Sequence, residues 1–174
     1  RENCEICMDF GAKIPYQSVT VVSAVGNSPN AAVAAARLGL KSALVTNLGD
    51  DDYGRQALAA LQKNGVETRF VAVHRHCPTN YHYVLWYEDE RTILVKHEEY
   101  PYALPDIGEP NWIYLSSMGA ASESFHDEIA SYLEARPKIK LAFQPGTFQM
   151  HLGIKRLKRI YSRSDAFFCN LAEA

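Results

Sequence analysis

Gly26, Asn27, Ser28, Pro29 and Asn30 stand just before an alanine-rich run that closes at Gly39. Gly26 lets the chain turn tightly, and Pro29 suits a first helical turn with Ser28 as the candidate cap. Asn27 and Asn30 then sit at a helix N-terminus. Carboxamides both donate and accept, so such a pair can hold the vicinal hydroxyls of a sugar. The small residues 31–36 let the helix lie close to a sheet. The same segment also reads as a capped helix with no ligand.

The elements that would position these groups alternate. A helix is expected over residues 30–38 and a strand over 42–48. A cap at 49–52 leads into a helix over 54–63, with Leu58 and Leu61 on one face, ending at Asn64 and Gly65. Residues 66–73, 80–87 and 91–96 are three strand-like runs with no helix between them, and 88–90 reads as a hairpin turn. They predict an antiparallel insert. Strand, helix, strand, helix, strand then follow at 112–116, 123–135, 140–143, 153–161 and 166–170. Phe125, Ile129, Tyr132 and Leu133 share one face of the second of these. Residues 4–10 and 18–24 are β-rich and bracket a turn near 13–16. Such alternation predicts βαβ units and a largely parallel sheet, with ligands bound beyond the carboxyl ends of the strands. Small and polar residues stand at those ends: Ser116, Ser117 and Gly119, then Gln144, Gly146 and Thr147, then Asn170 and Glu173.

Composition removes several classes. A net charge of −2 gives no basic field for nucleic acid or an anionic membrane. No apolar run approaches the ~20 residues of a membrane span. No P-loop, GxGxxG, GxSxG or HExxH pattern occurs. Cys4 and Cys7 form a CxxC, but His74, His76 and Cys77 match no standard zinc pair, so packed thiols are expected instead. Cys169 follows an apolar run and is expected to be buried. Reduced cysteines suit a cytoplasmic protein.

Residues 26–39 resemble the first signature of the PfkB/ribokinase family of carbohydrate kinases. Gly49, Asp50, Asp51 and Gly54 resemble that family's Gly-Asp-Asp…Gly turn. Residues 64–68 resemble its passage into a lid, and residues 91–95 the strand that ends the lid. Asn170 and Glu173 match its Asn-x-x-Glu. The order is the family's, over essentially the whole chain. The resemblance implies an α/β fold: a ribokinase-like sandwich with a mostly parallel central sheet and a small antiparallel β lid. Residues 1–174 would be part of one such domain, with the lid from about 1–24 and 66–96 and the core from about 25–65 and 97–174.

The resemblance also implies phosphoryl transfer from ATP, with Mg2+, to a hydroxyl of a sugar or sugar-like substrate. Gly26, Asn27 and Asn30 would bind the sugar. Asn170 and Glu173 would shape the phosphate–magnesium network without ligating the metal directly. By residue type alone, those two read as a strand end and a helix cap. Tyr81, Tyr83, Trp86 and Tyr87 would cover the substrate or bury a lid–lid homodimer contact, and so large an aromatic load favours the dimer.

The chain departs from the family in places. The Gly-Ala-Gly-Asp stretch that supplies the catalytic base has no match. The base is expected downstream of Ala174, and the chain, which opens at Arg1, is read as the N-terminal portion of a longer protein and inactive alone. Asp9 is too close to Gly26 to serve as the family's substrate aspartate. Gln144, Pro145 and Gly146 stand where the family often has Asp-x-Asn or Asn-Pro. A nucleoside kinase and a non-catalytic sugar-binding relative are the rival readings. The expected partner is a small sugar, not nucleic acid or membrane.

Overall fold

The computed structural model describes residues 5–171. Helix α1 (Asn27–Arg37) opens at Gly26, whose φ of 135° favours glycine. The expected Ser28 cap is not made; Gly26 takes the cap position, and Ser28 lies inside the first turn. Gly39 ends the helix region at φ 86°. Ala32 packs on Leu44, Leu61 and Val66, so the small residues do bring α1 close to its neighbours.

Strand β1 (Thr46–Gly49) leads into α2 (Asp52–Lys63), capped by the Asp51 carboxylate, which accepts from the Gly54 N–H at 2.9 Å. Strand β2 (Val71–His74) returns parallel to β1. The run at 66–73 therefore does not join an antiparallel insert. The α2 crossover brings the chain back in the direction it left, which makes a parallel pair. Among the described residues, antiparallel pairing is confined to the hairpin of β3 (His82–Tyr87) and β4 (Glu90–Val95). Its turn is the pair Glu88 and Asp89, with Glu88 at φ 54°.

The second parallel sheet has the order β5 (Trp112–Leu115), β6 (Lys140–Phe143), β7 (Ser164–Phe167). Helix α3 (Glu123–Glu134), entered through the short turn Ala120–Ser122, covers it. Phe125, Ile129 and Leu133 pack with Leu141, Phe143, Leu157 and Ile160 in the main core, and Tyr132 lies at its rim. The single helix expected over 153–161 is two: α4 (Thr147–Arg156) and α5 (Lys158–Arg163). Gly153, at φ 76°, interrupts α4 rather than starting a helix. Among the described residues the parallel strands thus fall into two sheets of two and three.

Residues 5–25 form no helix or strand. The strands expected over 4–10 and 18–24 are absent there, and Phe10, Val19, Val21 and Val22 are exposed. A lone two-stranded ribbon with no layer to pack on is marginal in water. Cys7 and Cys169 are exposed, not packed, and Cys4 lies outside the described residues. Cys169 follows the end of β7 at Phe167 and so misses the core. Among the described residues no helix is long and apolar enough to cross a membrane.

Two glycines lock the entry to α2. A Cβ on Gly49 would meet the Cys77 carbonyl oxygen at 2.0 Å, and one on Gly54 the Gly49 carbonyl oxygen at 2.1 Å. Gly54→Ala is expected to cost about 1–3 kcal/mol through overpacking, read from the urea midpoint. An unchanged midpoint would show that the loop yields freely.

Candidate functional site

Parallel pairing puts the exits of β5, β6 and β7 on one edge. The amino end of α1 is brought to that edge by Ser28, whose hydroxyl lies 2.5 Å from the Ser116 hydroxyl, one residue past β5. Ser116 is almost wholly buried. The exit of β6 is pressed against that of β5: a Cβ on Gly146 would sit 1.9 Å from Ser117 Oγ. Tyr114 donates to Gln144 Oε1 across the same two strands, and burial pushes its phenol upward.

Beneath these loops runs a buried polar chain. Gln149, fully buried on α4, donates from Nε2 to the Ser116 carbonyl oxygen at 2.8 Å. The same nitrogen lies 3.3 Å from His126 Nε2. Its Oε1 accepts from the Gly146 N–H at 2.7 Å and meets the Met118 N–H at 3.4 Å. His126 Nδ1 lies 2.7 Å from the Ser122 carbonyl oxygen. Burial holds His126 below its ordinary value, and the nearby Arg156 adds to that, while the Ser122 bond opposes it.

The expected sugar-binding residues are placed unevenly. Gly26 and Asn27 are exposed at the start of α1. Asn30 is also exposed, about 160° around the helix from Ser28 at ~100° per residue. It lines a groove of about 620 Å3 with Val22, Val25, Arg37 and Asn64. The structure therefore seats Ser28, not Asn30, against β5. Asn170 is exposed beyond β7. That strand is two positions from β5 in the sheet, roughly 10 Å away. Glu173 lies outside the described residues. Among the described residues no group of three or more His, Cys, Asp or Glu could hold a metal ion.

The Gly-Asp-Asp turn is a clamp. Asp51 Oδ1 accepts from the Gly54 N–H at 2.9 Å and the Thr79 hydroxyl at 2.6 Å, and Oδ2 accepts from the Thr79 N–H at 2.8 Å. Thr79 Oγ1 in turn accepts from the Gly49 N–H at 2.9 Å. Asp50 accepts from the His76 N–H at 3.0 Å, and Tyr100 donates to the Pro78 carbonyl at 2.6 Å. Tyr53 of α2 stacks on Tyr81 with ring centres 5.4 Å apart. The root of the β3–β4 hairpin is thereby tied to the amino end of α2.

Reading the sequence alone passes over Gln149 and His126. A signal exists: a Gln at the third position of a helix can reach back to the N–H of the residue before the first turn. It is visible only once α4 is started at Thr147.

The architecture is that of an α/β protein with a strand-end site and a small antiparallel hairpin. The chain belongs to the pfkB family of carbohydrate kinases, whose profile matches residues 3–174. A ribokinase of Bacillus subtilis (strain 168) is 37% identical over 70 residues, 40% of this chain and 24% of that protein. Fructokinase-1 of Oryza sativa subsp. japonica is 51% identical over 68 residues, 36% of this chain and 21% of that protein. A Pyrococcus horikoshii sugar kinase solved in complex with ATP superposes with a TM-score of 0.67 at 21% identity, over 82% of this chain and 52% of that one. A PfkB protein from Polaromonas sp. JS666 gives 0.66 at 19% identity, over 79% and 52%. The chain thus spans about a quarter or less of those two named relatives and about half of these solved structures. The fold is the ribokinase-like one expected.

Burial pushes the Asp51 carboxyl up, but the Thr79 and Gly54 bonds outweigh it and hold the group below its ordinary 3.8. A depressed carboxyl contributes stability above pH 3.8 and loses it as pH falls through the folded value. The stability gap between wild type and Asp51→Asn is therefore expected to be full at neutral pH and to close in acid. A gap constant across that range, followed by denaturant titration, would contradict the clamp.

Proposed function

We propose that the full-length protein transfers a phosphoryl group from ATP to a hydroxyl of a sugar or sugar-like substrate. One observation carries this reading: in a chain of this family, the amino end of α1 is seated on the carboxyl edge of β5 through Ser28 and Ser116. That edge is where α/β sheets bind ligands, and the carboxamides at the α1 N-terminus can donate to and accept from sugar hydroxyls. The P. horikoshii relative holds ATP, and a fructokinase from Vibrio cholerae O395, at TM-score 0.60 and 19% identity, holds fructose, ADP and calcium.

Gly26, Asn27 and Asn30 are assigned to the sugar. Asn170 and Glu173 are assigned to the phosphate–magnesium network. Their donors are all oxygen, which suits a hard cation met through its own waters. Magnesium, when bound, supplies neutralising charge at the phosphates. The β3–β4 hairpin, rooted by Asp51 and Thr79, is assigned as the lid that excludes water. Its exposed Tyr83, Trp86 and Tyr87 offer a contact surface to a second copy of the chain.

The test is ADP release by the full-length protein with ATP, magnesium and a panel of pentoses, hexoses and nucleosides. Sugar-dependent ADP with a phosphosugar product is expected. Turnover with nucleosides alone would make it a nucleoside kinase, and sugar binding without ADP a non-catalytic relative. Asn27→Ala and Asn30→Ala are each expected to weaken sugar binding by about 1–3 kcal/mol, from hydrogen bonds lost in the closed site. Unchanged affinity in calorimetry would remove the residue from the site. Glu173→Gln is expected to raise the magnesium concentration at half-maximal rate; a wild-type titration curve would count against its role.

A further inference from the structure

We infer that Gln149 is a positioning residue for the acceptor end of the site, which it sets without touching the acceptor. The inference rests on the sugar-kinase reading above. Gln149 uses both amide hydrogens and its carbonyl oxygen at once, toward Ser116, His126, Gly146 and Met118. One side chain therefore joins the exit of β5, the exit of β6 and helix α3. The Ser116 hydroxyl carries the chain on to Ser28, one residue from Asn27.

A volume-filling role does not account for this. Burying a carboxamide is unfavourable unless every polar atom is bonded, and an apolar side chain would fill the space at no such cost. The tautomer of His126 is chosen to match. Nδ1–H donates to the Ser122 carbonyl, so Nε2 is bare and accepts from Gln149. The charged groups near this ring are Arg156 of α4 and, on α3 itself, Glu123 and Asp127. Arg156 is bonded to both carboxylates, and Arg159 of α5 also approaches Asp127 at 4.0 Å. The ring is left neutral between them, an acceptor for Gln149.

The experiment compares Gln149→Met and Gln149→Glu with wild type in the full-length protein. Both keep the size. Met loses every bond, whereas Glu keeps the acceptor for Gly146 and loses both donors. Near pH 8, the acceptor KM is expected to rise about tenfold in each, with kcat and the ATP KM within about threefold. In the Glu variant a proton must sit on the carboxyl, facing the Ser116 carbonyl, or on His126. Its acceptor KM is therefore expected to recover as pH falls toward about 6, while the Met variant does not recover. An acceptor KM raised less than about threefold, or an ATP KM that rises in step with it, overturns the inference.

A second readout needs no activity. Amide hydrogen exchange at residues 26–31 is expected to quicken in the Met variant. Unchanged exchange overturns the inference even if the protein phosphorylates sugars. Quickened exchange in a protein that phosphorylates none upholds the link to α1 and overturns the functional reading instead. If neither variant folds by circular dichroism, Gln149→Asn decides, since it stays a neutral carboxamide but is one methylene too short to reach all four partners. A raised acceptor KM, or quickened exchange at 26–31, supports the chain of contacts, and wild-type behaviour in both overturns it.

Discussion

Parallel hydrogen bonding between β5, β6 and β7 is the constraint on which the site depends. Parallel neighbours cannot be joined by a tight turn, so each connection must cross the sheet through a helix. That requirement creates α3 and the α4–α5 pair, and it leaves three strand exits on one edge. Backbone groups just past those exits, such as the Ser116 carbonyl and the Gly146 N–H, take side-chain partners. Gln149 satisfies several of them from below, while Ser28 arrives at the Ser116 hydroxyl from α1. The edge is thus polar, ordered and supported from two sides.

A second anchor works at the other sheet. There the carboxylate of Asp51, not an amide, gathers the groups, and three of its bonds reach Gly54 and Thr79. The result joins a rigid helix start to the root of a hairpin whose tip has few neighbours. Rigid root and exposed tip are the features a closing cover needs. Both anchors are side chains that bond backbone N–H groups of a second loop. Each fixes where a loop begins and leaves its far end open.

Much of this was legible in the residues. Asp51 before α2 and Gly65 after it bounded that helix, and the spacing of Phe125, Ile129 and Leu133 marked the buried face of α3. Strand β6 fell where its apolar run fell. What was not legible has physical reasons. A valine-rich run pairs as readily in either direction, so even with a helix expected over 54–63 the run at 66–73 reads equally as a partner of β1 or as a lid strand. Glycine at a boundary is ambiguous, so Gly153 marks a helix start by sequence, which displaces α4 and hides Gln149. Residues 18–24 have the alternation of a strand, but alternation does not supply a neighbour. Ser28 carries the sequence signature of a cap, because serine before a helix usually is one. Its actual partner is 88 positions away, and no local rule reports a contact at that distance.

The interlock of Gly49, Gly54, Asp51 and Thr79 also bears on how the chain can vary. The four share atoms within van der Waals reach, so the effect of changing one depends on which residues occupy the other three. Energies at such a site do not add. A larger residue at position 49 is tolerable only with a rebuilt 77–79 loop, and a different residue at 79 leaves the Asp51 carboxylate to find new donors. Sequence drift here must move through paired changes, and the order in which they arise matters. The turn therefore acts as an epistatic unit, one heritable part spread over thirty positions of chain.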